Sequence, residues 1–221
     1  MNDPRLSTLL KYLKGFNVLI DVGTDHAYLP IEAVKKGFVH CAYAFDNKAG
    51  PLAQATKNID RHQLKQKITT KLSSGIDDLP EDADVLVMAG LGGEIIYKSL
   101  ANKPLKNLKR LILQPNNAAM NVRKLTEVHR LTIIDETVVK YQGYYYPVIV
   151  MEEGQVSLSD KALRFGPILL KKRPLAFIEM LKAEHDYLQG LIDTIPYQEA
   201  KKPHIDSLKA IEEVLYERND H

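Results

Sequence analysis

At 221 residues the chain can hold one domain of ordinary size, or one such domain with a small appendage. A hydrophobic content of 45% supplies a sizeable core, a mean hydropathy of -0.23 fits a soluble protein, and no run approaches the roughly 18 apolar residues of a membrane-spanning helix. A net charge of +2 does not announce a nucleic-acid binder, and the single cysteine, Cys41, excludes an internal disulfide and a cysteine-based zinc site. Met1 is followed by Asn-Asp-Pro-Arg rather than an apolar signal region, so a cytoplasmic protein is expected. The histidines are scattered without metal-ligand spacing, and no metal is expected.

In chain order, a helix near Arg5–Leu13 precedes the apolar run Val18–Val22, which reads as a buried first strand ending at Gly23. Leu29–Lys36 reads as a helix stopped by Gly37, and Ala42–Phe45 as a second strand running into Asp46-Asn47. Pro51–Asp60 has helical spacing, Lys67–Leu72 is a third strand, and the almost wholly apolar Asp84–Ala89 is a fourth, covered on both faces. Glu94–Leu100 supplies a helix, Arg110–Leu113 a fifth strand, and Val122–His129 another helix. Leu131–Val139 and Tyr145–Met151 then form a hairpin about Gln142-Gly143. Strands alternating with helices predict an α/β fold with a parallel sheet. A closing hairpin whose last strand is inserted antiparallel makes it a Rossmann-like, seven-stranded sheet of the methyltransferase kind, by fold-level analogy.

Composition changes after this point. From residue 154 the tail carries 10 Lys/Arg against 11 Asp/Glu, so it is not a basic arm. Phe177, Leu181, Leu188, Leu191 and Ile195 form one apolar stripe, with His185 at a stripe position. Ile205, Leu208, Ile211 and Leu215 form a second, after breaks at Pro196 and Pro203. The expected division is a catalytic domain over 1–153 and a small antiparallel, coiled-coil-like helical domain over 154–221.

The chemistry concentrates in Asp21-Val-Gly-Thr-Asp-His-Ala-Tyr-Leu-Pro30. A strand ending in Asp-x-Gly and turning into a helix is where an adenosyl cofactor meets a sheet; Gly23 lets it approach the backbone, and the next helix offers its amides. The full dinucleotide fingerprint is missing. Asp25 and His26 stand where later glycines would be. A carboxylate there repels a pyrophosphate but accepts a bond from the amino group of a methionine moiety, which favours S-adenosylmethionine over NAD. Asp46, with Asn47 beside it, ends the second strand where an acid commonly takes two ribose hydroxyls. Ser74-Gly75 and Ala89-Gly90-Leu91-Gly92 follow the third and fourth strands, where cofactor and a target base would lie.

Gln114-Pro115-Asn116 closes the fifth strand on the same edge; proline fixes the turn and the amides can read a base edge. It is not the Asn/Asp-Pro-Pro-Tyr motif of exocyclic-amine methyltransferases, so a ring nitrogen is the better target. Seven Lys or Arg and no acid fall between Lys98 and Lys124, consistent with either a solvated face or a phosphate-contacting one, Arg123 included. Tyr141 and Tyr144–Tyr146 could stack on bases but fit sheet packing better.

These motifs, with Gly50-Pro51, the Gly75 turn and Leu111–Asn116, resemble bacterial tRNA adenine-N1 methyltransferases that modify adenine 22. The resemblance covers roughly residues 5–151, and the helical tail fits that family's C-terminal domain. Thr24, Asp46-Asn47, Ser74, Leu91 and Pro147 depart from the usual residues; Ser74 weakens the adenine contact, and Pro147 predicts imperfect strand pairing there. The resemblance implies an enzyme that uses S-adenosylmethionine to methylate adenine N1 in the D-arm region of tRNA; the sequence leaves its oligomeric state open, with a monomer favoured. Asp25, His26 and Asn116 would be its catalytic residues. Asp21, Gly23, Asp46, Asn47, Ser74, Gly75, Ala89 and Gly90 would bind cofactor, and Tyr28, Gly92, Gln114, Pro115 and Arg123 substrate. A methyltransferase of another substrate and a non-catalytic RNA-binding protein on the same fold remain open alternatives.

Overall fold

The computed structural model describes residues 3–73, 76, 79–105 and 107–216. The chain divides into two units, Met1–Ile168 and Leu169–His221. In the first, α1 (Pro4–Lys11) leads into β1 (Val18–Val22), α2 (Tyr28–Lys35), β2 (Cys41–Asp46), α3 (Ala49–Arg61), β3 (Ile68–Leu72) and β4 (Val85–Leu91). There follow α4 (Gly93–Leu100), β5 (Arg110–Pro115), α5 (Ala119–Arg123), α6 (Leu125–Val128), β6 (Leu131–Tyr141), β7 (Tyr144–Glu153) and α7 (Asp160–Phe165). A short α8 (Pro167–Lys172) spans the division, and the second unit contains α9 (Leu175–Thr194) and α10 (Gln198–Tyr216).

The sheet has seven strands in the order β3-β2-β1-β4-β5-β7-β6. β1 to β5 pair in parallel, and β7 lies antiparallel between β5 and β6. The expected α/β sheet with its inserted antiparallel strand is therefore present. Its two faces follow the period of two: Leu19, Val85, Val87 and Ile112 join one core cluster with residues of α1, α2 and α3. Ile20, Leu86, Met88, Leu111 and Leu113 join the other, with residues of α4, α5 and α6. The chain order reverses between β1 and β4, which opens a crevice at their carboxyl ends.

Three local expectations are corrected. The helix predicted over Val122–His129 is two short helices, starting earlier at Ala119 and broken at Lys124. Pro147 does not disturb its pairing with Val138, because β5 stops pairing with β7 at Ile149 and no ladder bond is required of the proline on that side. The irregularity is instead a bulge between Ile133 and Asp135. Pro203 lies inside α10 rather than before it. Near the amino end of a helix a proline removes only one bond, to the carbonyl four residues back.

The first unit extends to Ile168, past the division expected after residue 153. The reason is α7 and the turn after it, which are tied to the sheet by a buried ion pair. Arg123 Nε donates to Glu136 Oε1 at 2.7 Å, with the two side chains 2% and 0% exposed. Arg123 Nη1 also donates to the carbonyls of Leu163 and Arg164, and Glu136 Oε2 accepts from the backbone of Ile168.

In the second unit α9 and α10 form a hairpin broken at Ile195-Pro196, with Phe177, Leu181, Leu188 and Ile192 buried on one helix and Leu208, Ile211 and Val214 on the other. Ile192 takes the place expected for Leu191, since the helical repeat of 3.6 carries the stripe forward from Leu188 by four. Arg173 Nη1 and Nη2 close the last turn of α10 on the carbonyls of Val214 and Leu215. His185 meets Glu212 across the hairpin at 3.5 Å. Among the described residues no helix is long and apolar enough to cross a membrane.

Candidate active site

The carboxyl ends of β1, β4 and β5 surround a cavity of about 200 Å³. Asp21, Gly23, Asp25, His26, Tyr28, Ala89, Gly90 and Gln114, each a candidate in the sequence, line it, and so does Thr24, which stands out in the sequence only as a departure from the family's usual residue. Asp3, Arg5 and Leu6 of the first helical turn also line it, and sequence reading had not assigned them. Their signal was available: an Asp followed by Pro is a helix start, and Asp3 does cap α1 by accepting from the Arg5 amide.

The loop after β1 is built by its own polar groups. Gly23 and Thr24 both donate backbone N–H groups to the Phe45 carbonyl, at 2.8 and 2.9 Å, which folds the β1 loop against β2. Gly23 has φ of +78°, a conformation glycine adopts without a Cβ penalty. Thr24 Oγ1 donates to Asp21 Oδ2 at 2.7 Å. Burial of Asp21 raises its carboxyl pKa; the Thr24 bond opposes the shift, the Asp46 carboxylate adds to it, and the result is about 7.

Asp25 and Ala27 are both left-handed, with φ of 51° and 58°. The turn is held from β2: Asp46 Oδ2 accepts the Asp25 backbone N–H at 3.2 Å, and Asp46 Oδ1 accepts that of Lys48 at 2.9 Å. Asp46 thus shapes the loop that carries Asp25, a task its sequence position did not disclose. The described lining residues do not include Asp46 or the exposed Asn47. Ser74 and Gly75, expected to hold cofactor, lie outside the described residues. At the cavity mouth His26 Nε2 stands 3.7 Å from Asp25 Oδ2, and the His26 ring stacks on that of Tyr28 at 5.3 Å between centroids.

Across the cavity, the ends of β4 and β5 are tied together. Asn116 donates its side-chain amide to the Gly90 carbonyl and its backbone N–H to that of Leu91, while Gln114 Nε2 donates to Asn116 Oδ1. Gln114 is 2% exposed yet lines the cavity. Gly92 caps α4, and Gly93 packs directly on the next loop. A Cβ on Gly93 would stand 2.3 Å from the Ala118 carbonyl oxygen.

Two substrate-contact expectations are corrected. Arg123 is buried in its ion pair with Glu136, so it cannot meet a phosphate. Pro115 is buried at the end of β5 and shapes the turn rather than offering a contact surface. The basic stretch is likewise divided. Lys109 and Arg110 lie at the amino end of β5, the edge opposite the cavity, where they pair with Asp84 and Glu152. Lys98 pairs with Glu94, and Lys106 lies outside the described residues.

Comparison with known proteins adds to this geometry. Residues 19–217 match the family model described as tRNA (adenine(22)-N(1))-methyltransferase. The Bacillus subtilis (strain 168) protein of that name is 31% identical over 230 residues, covering 98% of this chain and 96% of the relative. Among solved structures, Streptococcus pneumoniae Sp1610 gives a TM-score of 0.92 at 36% identity, covering 98% of this chain and 100% of that one. The same protein in complex with S-adenosyl-L-methionine gives 0.88 at 35%, with the same coverage. M. capricolum TrmK, in complex with the cofactor product S-adenosyl-homocysteine, gives 0.87 at 26%, covering 97% and 98%.

Proposed function

We propose, since the chain belongs to the tRNA (adenine(22)-N(1))-methyltransferase family, that it is an S-adenosylmethionine-dependent enzyme that methylates N1 of adenine 22 in tRNA. The observation that supports this reading is the cavity at the β1/β4 switch point, where Asp21, Gly23 and Asp25 face Ala89, Gly90 and Gln114. Two carboxylates, Asp21 buried and Asp25 exposed, suit a ligand with an ammonium and a sulfonium, and would repel a pyrophosphate. Cytoplasmic tRNA is the partner, and a monomer suffices.

S-adenosylmethionine supplies an electrophilic methyl group on a sulfonium. Adenine N1 already carries an in-plane lone pair, so this chain's residues need not generate a nucleophile; they position it and stabilise charge. N1 is a pairing atom, so the base must leave its stack to reach the cavity. Tyr28, backed by His26, offers it a ring face at the mouth. An amide nitrogen carries two hydrogens: Asn116 gives one to the Gly90 carbonyl, and the other is the donor we assign to the adenine edge. As positive charge passes from sulfur to the purine, the Asp25 carboxylate, beside His26, is the nearby anion that stabilises it. Asp46 acts by holding the Asp25 turn.

Labelled-methyl transfer to unmodified tRNA, followed by mapping of the modified nucleotide, tests the proposal. Label at N1 of position 22, lost when that adenine is replaced, is the expected result. Modification elsewhere makes this a methyltransferase of another substrate, and failure to bind S-adenosylmethionine in calorimetry leaves only the non-catalytic reading.

A further inference from the structure

The amino-terminal turn of α1 forms a wall of the cofactor cavity, and its side chains are fixed there with unusual care. Arg5 and Asp3 form a fork: Nε lies 3.2 Å from both Asp3 oxygens and Nη2 lies 2.8 Å from Oδ2. The guanidinium carbon also stands 4.7 Å from the Tyr146 ring centroid and 5.1 Å from that of Tyr141. A long, flexible side chain is thus held between a carboxylate and two rings, with only 32% of it exposed. Nε and Nη2 are the atoms engaged with Asp3, which leaves Nη1 to a ligand.

The rest of the lining states what is missing. Asp21 and Asp25 supply anions for the ammonium of a methionyl group, and Thr24 and Gln114 supply neutral polar atoms. The α-carboxylate of that group hangs from the same carbon as the ammonium, so it lies in the same cavity, where a charge-assisted bond from a cation suits it best. Among the described lining residues Arg5 is the permanent cation, and His26 is the other basic side chain. His26 sits at the mouth, engaged with Asp25 and stacked on Tyr28. Arg5 is pre-oriented by Asp3 and the two rings.

We propose that Arg5, positioned by Asp3 and the Tyr141 and Tyr146 rings, receives the α-carboxylate of S-adenosylmethionine, so that α1 is part of the cofactor site. The proposal rests on the reading of the cavity as a cofactor site. Its test compares S-adenosylmethionine with decarboxylated S-adenosylmethionine, which keeps the ammonium and sulfonium but lacks the α-carboxylate. Arg5→Ala should weaken binding of the intact cofactor by about 10- to 100-fold, the scale of one charge-assisted hydrogen bond, and leave binding of the decarboxylated one unchanged. Arg5→Lys, which keeps the charge and loses the fork, should fall between, and Asp3→Asn should reproduce a milder form of the same selective loss. Equal weakening for both ligands would show a merely structural role and overturn the proposal. A raised KM for tRNA with cofactor affinity intact would also overturn it, by assigning Arg5 to a phosphate. If the unaltered protein binds neither ligand, the cofactor reading itself fails, a result distinct from either.

Discussion

Asn116 and Gly90 are joined by a 2.7 Å hydrogen bond from the side-chain amide of one to the main-chain carbonyl of the other. This bond fixes the carboxyl end of β5 against that of β4, beside Gly90 and Gln114 of the cavity lining. Asn116→Ala removes both this brace and the donor proposed for the adenine. We expect kcat to fall by about 100-fold, the effect of losing alignment of the reacting atoms, with cofactor affinity little altered. Single-turnover methyl transfer alongside calorimetry checks this; parallel losses in both would remove Asn116 from the substrate side.

Asp21 gives the cofactor site a pH dependence near neutrality. Its pKa in the folded protein is about 7, against an ordinary 3.8. An ammonium ligand requires the ionised carboxylate, so affinity for S-adenosylmethionine should rise about tenfold per pH unit until about pH 7 and then level off. Folding responds in the opposite sense. Between these two values the folded state keeps a proton that the unfolded chain releases, so stability without cofactor falls as pH rises through the window. Asp21→Asn should flatten both slopes, which calorimetric titration and thermal melts across the range would reveal.

Gly93 has no room for a side chain. The added methyl of Gly93→Ala would collide with backbone oxygens of Asn117 and Ala118, which cannot rotate away as a side chain could. Overpacking of this kind costs about 1–3 kcal/mol. Because the displaced segment follows Gln114–Asn116, activity should fall more than melting temperature alone accounts for. An unchanged rate in a variant that melts early would separate this loop from catalysis.

Arg123 and Glu136 should behave as one unit. Removing one partner leaves a buried charge without its counterion, so Arg123→Met or Glu136→Leu is expected to cost about 3–5 kcal/mol. The double variant should be much less destabilised than the sum of the two. Denaturant unfolding of all three proteins measures the coupling; additive losses would mean that the pair does not act as a pair.

The sheet was legible because β1 and β4 are apolar runs with sharp ends, and those ends carry Asp21, Gly23, Ala89 and Gly90 into one place whatever the loops do. Long-range pairings were not legible. Arg123 reads as one more cation in a basic stretch until Glu136 meets it across the fold, and nothing near either residue announces the other. Asp46 shows the same limit in milder form: its strand-end position suggests a ligand contact, while its bonds to the Asp25 and Lys48 amides depend on where two loops come together. The part of Arg5 was hidden because Tyr141 and Tyr146, which hold it, lie far along the chain on the closing hairpin.

The Arg123–Glu136 pair also sets a limit on shortening the chain. A fragment ending at the last strand, after Glu153, would strip the guanidinium of its two carbonyl acceptors, Leu163 and Arg164, and Glu136 of the Ile168 amide. A fragment that keeps these bonds therefore ends no earlier than residue 168, and the stretch from the last strand to that point, assigned from the sequence to the helical tail, belongs to the foundation of the first unit.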